Sequence, residues 1–310
     1  MIYTITLNPA IDLFIDTKKL AANSVNRTNG YDLQANGKGI NVSFILNKIG
    51  IPTTATGIGG GFTLEYIKNK LQLNHIPYYF TKSQGLTRIN VFTRVKSENK
   101  EYKLVNPGPE VTLAEQKKLL TYFKEKLKKD DLICISGSFS TGISPDILQD
   151  FAKLAEQKQT KLVIDTSYQQ VMDILPYHPW IIKPNEDEIK KWFSLTGQVD
   201  QKQLVKLGKR LVTKGAQMVL ISLGSKGALL ITSSKVFYGN APKIQELNTA
   251  CAGDSMLGAF IGNLINQKGL ETALKKAIAA GSDAARQEWI TNFITAKELE
   301  KQIKIESNNI

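Results

Sequence analysis

Asn248-Thr249-Ala250-Cys251-Ala252-Gly253-Asp254-Ser255 runs straight into the apolar segment Met256-Leu257-Gly258-Ala259-Phe260-Ile261-Gly262-Asn263-Leu264. Small residues before a helix let backbone N–H groups converge on one concavity, and the helix start adds its partial positive charge. The expected product is an anion cradle with the carboxylate of Asp254 beside it. An acid placed against an anion is poor for plain binding but suited to taking a proton from an attacking hydroxyl. The stretch therefore points to phosphoryl transfer.

Upstream of the cradle, short β-branched runs at 2–7, 131–136, 161–165, 180–183 and 218–222 alternate with helical patterns. The helical patterns fall near 38–49, 63–73, 113–128, 145–158, 186–195, 201–215, 254–266 and 270–287. Such alternation predicts an α/β, doubly wound, mostly parallel sheet with helices on both faces, and ligands beyond the carboxyl ends of the strands. Two regions interrupt it. Segments at approximately 12–34 and 87–106 read as extra strands, with Ser97-Glu98-Asn99-Lys100 as a hairpin turn, which suggests a small lid. Without a Pro/Gly/Ser linker, residues 1–310 read as a single domain.

The bulk properties restrict the partners. A net charge of +12 could attract nucleic acid, a membrane surface or phosphorylated small molecules. The lysines, however, sit at helical spacing in segments such as 115–129 and 201–214, as on solvated helix faces, and no basic run is interleaved with aromatics. Neither nucleic acid nor a membrane is expected as partner. Residues 1–7 lack the basic start of a secretory leader, and Cys134 and Cys251 do not form a disulfide framework, so a cytoplasmic location is expected. His75 and His178 are the only histidines, which leaves little support for a His-based metal site or a Ser-His-Asp triad.

Five further motifs follow the order of the chain. In Asn8-Pro9-Ala10-Ile11-Asp12 the acid lies near a strand end, where it could accept sugar hydroxyls or merely close a turn. Asn36-Gly37-Lys38-Gly39-Ile40-Asn41 leads into a helix, a pattern that suits an anion or an ordinary loop-to-helix turn, and it is not a Walker A. Arg88, entering a strand after Gly85-Leu86-Thr87, either grips phosphate or is an edge-strand charge. Lys183-Pro184-Asn185-Glu186-Asp187-Glu188 is a helix cap that could also face metal and phosphate, and Ser222-Leu223-Gly224-Ser225-Lys226-Gly227 is either a nucleotide loop or a hairpin.

Taken together and in this order, the five motifs resemble those of the PfkB (ribokinase-like) sugar kinases, from Asn8 to beyond Gly262. The resemblance implies an ATP- and Mg²⁺-dependent kinase acting on a ketohexose phosphate, fructose 1-phosphate first and tagatose 6-phosphate as the alternative. It implies Asp254 as catalytic base, with an anion hole from the N–H groups of Ala252, Gly253 and Asp254. Asp12, Gly37, Gly39 and Asn41 match sugar-contacting positions; Lys38 and Arg88, and more weakly Arg27, match groups gripping the acceptor's phosphate. On the nucleotide side it implies Lys183, Asn185, Ser222, Gly224, Gly227 and Gly253, with Glu188 serving the metal through water. It also implies a homodimer joined through the lid strands.

Three departures from the family pattern stand out. Cys251 replaces a glycine and would resist a positive φ; Asn36 replaces another, and Asn tolerates the left-handed region better than most residues. Lys103 and Val105 replace a Glu and an Asn, with expected consequences at the sugar end. Two rivals are a dinucleotide-dependent dehydrogenase, whose strand–GxGxxG–helix fingerprint is missing near the N-terminus, and a non-catalytic sugar-phosphate- or nucleotide-binding protein, which would not need Asp254.

Overall fold

Apolar and β-branched runs bury themselves as a central sheet, and the computed structural model describes this for residues 1–309. The first strands in chain order are β1 (Ile2–Thr6), β2 (Ala10–Thr17), β3 (Gly30–Asn36), β4 (Thr53–Gly59), β5 (Tyr78–Lys82), β6 (Arg88–Val95) and β7 (Lys100–Leu104). They continue as β8 (Leu132–Ser136), β9 (Lys161–Asp165), β10 (Ile181–Ile182), β11 (Met218–Ser222), β12 (Ala228–Thr232), β13 (Lys235–Gly239) and β14 (Ile305–Asn309). The helices are α1 (Lys38–Lys48), α2 (Gly61–Leu73), α3 (Leu113–Lys126), α4 (Ile147–Lys158) and α5 (Glu186–Trp192). Then come α6 (Gln201–Thr213), α7 (Ala252–Ile265), α8 (Leu270–Ala285) and α9 (Ala296–Glu300). None of the helices among the described residues is long and apolar enough to cross a membrane.

Ten strands form one sheet in the order β14-β13-β12-β11-β10-β9-β8-β1-β4-β5. From β5 to β11 every pairing is parallel, and β12 to β14 add an antiparallel edge. The chain leaves β1 toward β4 on one side and later returns to β8 on the other, so the strand order reverses at β1 and opens a crevice beyond its carboxyl end. Apolar clusters fill both faces: Phe123 and Phe151 lie on one, Leu257 and Phe260 on the other.

The doubly wound, mostly parallel sheet matches the sequence expectation, with boundaries shifted by a few residues. Strands β4 and β5 did not stand out in the sequence because β4 carries three threonines, yet all seven of its residues are buried. The sheet satisfies their hydroxyls locally: Thr53 donates to the Ile2 carbonyl at 3.2 Å and Thr56 to that of Thr4 at 2.8 Å. Polar β14 also escaped the apolar pattern, because backbone pairing with β13 defines it while most of its side chains face solvent.

The lid is a separate sheet in the order β3-β2-β6-β7. Strands β2 and β6 run parallel from Ala10 opposite Arg88 to Thr17 opposite Val95, a register that places Asp12 beside Asn90. At the expected hairpin, Lys96–Glu98 form a 3₁₀ turn and Asn99 takes the left-handed conformation, φ 49°.

Helices α1 and α7 cross at close range. A Cβ on Gly258 would come within 2.7 Å of the Ile45 Cβ, and one on Gly262 within 2.1 Å of the Ile49 Cδ1. This contact sets the distance between the starts of α1 and α7. Gly258→Val should therefore force the helices apart and lower stability by about 1–3 kcal/mol through overpacking; an unchanged urea midpoint would contradict it.

Candidate active site

Two cavities meet beyond the carboxyl ends of the parallel strands. The first, of about 370 Å³, lies past β1 and β8 under the lid, with Asp12, Asn36, Lys38, Arg88, Asn90 and Asp254 on its walls. The lid register brings Asn90 Nδ2 to 2.8 Å from Asp12 Oδ1, while Asn36 Nδ2 donates to Asp12 Oδ2. Burial raises the Asp12 carboxyl above its ordinary range, opposed by the hydrogen bonds from Asn90 and Asn36 and by the Arg88 charge. Arg88 donates to the carbonyls of Asn106 and Asn8, each at 3.3 Å, and its buried Nε has no partner. A buried guanidinium donor without an acceptor suits an anionic ligand. Gly37 turns the chain from β3 into α1 at φ 133°, where a Cβ would lie 2.6 Å from the Thr6 methyl.

The second cavity, of about 910 Å³, is walled by Lys183, Asn185, Ser222, Gly224, Gly227 and Gly253 among others. The start of α7 opens into it. The N–H groups of Gly253 and Asp254 have no acceptor among the described residues, as expected for the first turn of a helix. Ala252 differs from expectation: its N–H donates to the Thr249 carbonyl at 3.2 Å, because the preceding turn already uses it. Cys251 also departs from expectation. It sits at φ −104°, ψ 6°, a region open to any residue, so the cradle does not need glycine there. Burial, with the Asp254 and Asp12 charges, pushes its thiol well above the ordinary range, which argues against a nucleophilic role.

Between the cavities, buried Asp165 at the end of β9 accepts from Lys38 Nζ and Lys183 Nζ on the same oxygen, Oδ1, both at 3.2 Å. Burial would raise the Asp165 carboxyl, but the two ammonium groups outweigh it and hold it below the ordinary range. Its Oδ2 is buried and unpartnered. The same pairing lifts the Lys38 ammonium above its usual value against burial, with Asp254 and Glu188 adding to the effect. Asn185 and Glu188 form a reciprocal capping box at α5, with Asn185 N–H donating to Glu188 Oε2 at 2.9 Å and Glu188 N–H to Asn185 Oδ1 at 2.8 Å. Glu188 nevertheless faces both cavities, so the cap and the site share one residue.

Asp254, 3% exposed, also lies on the wall of both cavities. Burial pushes its carboxyl up to about 7, with Lys38 opposing, Asp165 reinforcing, and a 2.7 Å hydrogen bond from Asn41 opposing again. A carboxylate titrating near neutrality is suited to accept a proton from a hydroxyl and to release it afterwards.

Several residues lie where the sequence did not place them. Gly39 does not line the acceptor cavity; a Cβ there would be 2.6 Å from Thr6 Oγ1, so it serves the packing of α1 on β1. Asn41 is fully buried behind the cavity wall and bonds Asp254 rather than facing a ligand. Arg27 is exposed in the β2–β3 loop and lines neither cavity. Lys38 lines both cavities and so does not belong to the first alone. Asn36 is not left-handed; the turn is made at Gly37. Lys103 pairs with Glu101 on the lid and Val105 is exposed, both away from the acceptor cavity. Asp165 and Asn90 were missed. Asp165 had one legible signal, an acid closing an apolar strand at its carboxyl end.

A cavity of about 370 Å³ and the cradle at the start of α7, with Asp254 beside both, suit a phosphotransferase acting on a sugar hydroxyl. The model of the pfkB family carbohydrate kinases matches residues 3–294, and the chain belongs to that family. It is 37% identical to a D-tagatose-1-phosphate kinase of Bacillus licheniformis, covering 98% of this chain and 99% of that protein. It is 31% identical to a 1-phosphofructokinase of Bacillus subtilis over the same shares. The fold matches the crystal structure of phosphofructokinase-2 from Escherichia coli in complex with fructose-6-phosphate, with a TM-score of 0.86, 25% identity and coverage of 97% and 98%. The protein is thus a sugar-phosphate kinase of the PfkB family.

Because Asn41 stabilises the charged form of Asp254, Asn41→Leu should move the Asp254 titration upward. In a pH profile of kcat/KM, activity should fall below about pH 7 as the carboxylate protonates, and the variant's acid limb should shift to higher pH. Superimposable acid limbs would refute the coupling.

Proposed function

We propose that the protein transfers the γ-phosphoryl group of ATP to the free primary hydroxyl of a ketohexose 1-phosphate, with fructose 1-phosphate as acceptor. The observation that carries this reading is Asp254 in the common wall of the two cavities. Asp254 takes the hydroxyl proton as the sugar oxygen bonds to the γ-phosphorus and the bond to the bridging oxygen of ADP breaks. The unpaired N–H groups of Gly253 and Asp254 and the ammonium groups of Lys38 and Lys183 offset charge on the moving group. Asp12 accepts sugar hydroxyls, and Arg88 meets the phosphate already on the acceptor.

A divalent ion fits this donor set in one way. No cluster of three or more metal-ligating side chains exists among the described residues, so the ion would rest chiefly on nucleotide phosphates and water. Glu188, on the wall of both cavities, would hold that water, which suits Mg²⁺. When bound, the ion supplies charge neutralisation at the phosphates.

D-tagatose 1-phosphate is the second reading, favoured by the identity to the Bacillus licheniformis kinase. An ATP-consumption assay across fructose 1-phosphate, tagatose 1-phosphate, tagatose 6-phosphate, fructose 6-phosphate and unphosphorylated sugars tests both. Turnover confined to 6-phosphates would reject the proposal. Asp254→Asn should retain nucleotide affinity and lose turnover by about 10²–10⁴-fold; near-normal turnover would remove the base assignment.

The core sheet and lid are read as one kinase domain that pairs with a second copy through the lid. Phe14 stacks on Phe92 at 4.9 Å beside a concavity of about 480 Å³, with Tyr31 74% exposed on its rim. Such an aromatic surface fits a protein partner. Light scattering should give a dimeric mass that Tyr31→Asp reduces toward monomer; a monomeric wild type would reject it.

A further inference from the structure

Asn36 joins the carboxylate proposed to hold the sugar to the carboxylate proposed to act as base. Its Oδ1 accepts from the Gly37 N–H at 2.6 Å and from Asn41 Nδ2 at 2.7 Å, while its Nδ2 donates to Asp12 Oδ2. The other bond from Asn41 Nδ2 runs to Asp254 Oδ2 at 2.7 Å. The amide can stand only this way round, since a flip would set oxygen against carboxylate oxygen and N–H against two donors. Cys251 Sγ closes the back of the group, 3.6 Å from Asn41 Nδ2, and both Asn36 and Cys251 line the acceptor cavity.

Asp12 is thereby clamped from two strands. Asn90 on β6 holds Oδ1 and Asn36 at the end of β3 holds Oδ2. A carboxylate has about four acceptor directions, so two are taken and two remain on a residue that lines the cavity. We propose that Asn36 is a specificity-determining residue: its carboxamide fixes the plane of the Asp12 carboxylate, so that the remaining acceptor directions suit one configuration of neighbouring sugar hydroxyls. A hydroxyl inverted at one carbon leaves a buried acceptor unpaired, the kind of mismatch that gives strong discrimination. Without the Asn36 clamp, the carboxylate tilts to follow either configuration and discrimination weakens. The inference rests on the reading that the acceptor is a ketohexose phosphate held at Asp12.

The test compares D-fructose 1-phosphate with D-tagatose 1-phosphate, which differ only in configuration at C4, in wild type, Asn36→Ala and Asn36→Asp. Nucleotide affinity serves as the folding check. In Asn36→Ala the ratio of kcat/KM between the epimers should move toward unity by about ten-fold, through the KM of the sugar and with the KM of ATP nearly unchanged. Asn36→Asp keeps the shape but replaces a donor with an acceptor facing Asp12, and it should raise the sugar KM further while also changing the ratio. An equal loss on both epimers in folded variants, with the ratio unchanged, would overturn the inference and leave the assigned reaction standing. A wild type inactive on both epimers would overturn the acceptor reading and this inference with it.

Discussion

A single oxygen of a buried carboxylate, Asp165 Oδ1, accepts from two lysines whose backbones come from different parts of the chain. Lys38 opens α1, Lys183 follows β10, and Asp165 ends β9. An unpaired charge at buried Asp165 or Lys183 would cost several kcal/mol, so those two demand each other, while half-buried Lys38 adds its charge from the cavity side. The trio itself carries net positive charge beside the two cavities, with Asp254 and Glu188 on their common wall. It also brings Lys183 Nζ to 3.4 Å from the position a Cβ on Gly253 would take, tying the end of β10 to the cradle of α7. The site is built around this balance: enough positive charge to attract phosphates, and enough buried negative charge to hold the lysines in place.

The same environment governs Asp254. Two acids, Asp165 and Asp254, share a low-dielectric site, and their titrations are driven apart. Asp165 has two ammonium partners and stays charged. Asp254 has one amide donor and two more distant lysines, Lys38 and Lys183, so burial prevails and its carboxyl rises to about 7. Pairs of acids separated in this way by their surroundings are a general means of dividing structural from proton-transfer roles.

Sequence and structure agree most closely where chemistry is local. The small-residue stretch before an apolar helix yields the α7 cradle because a helix start leaves its first N–H groups unpaired whatever surrounds it. The Asn185–Glu188 spacing gives a capping box for the same reason. Agreement fails where a role depends on a neighbour from elsewhere in the chain. Asn41 carries a polar side chain beside two glycines and looks like a ligand contact, yet α7 packs against α1 and turns it toward Asp254. Cys251 looks like damage to a glycine turn, yet its backbone dihedrals need no glycine. Lys103 and Val105 look like changes at the sugar end, yet the lid register sends them to the surface.

Periodicity and turn residues determined by themselves the doubly wound sheet and the lid, and the small residues before α7 marked Asp254; the family, with Asp12 and Arg88 as residues to watch, came from the resemblance that the five motifs carry in their order. These follow from the sequence because strand burial, helix capping and anion cradles are decided over a few neighbouring residues. The tertiary structure alone decided that Asp165 joins two lysines, that Asn36 and Asn90 grip one carboxylate, and that Asp254 faces both cavities. Those contacts, together with the Asn41–Asp254 bond, link residues 18 to 213 positions apart. Only the crossing of helices and the pairing of strands bring such distant groups within hydrogen-bonding distance, and only their burial together shifts their charges.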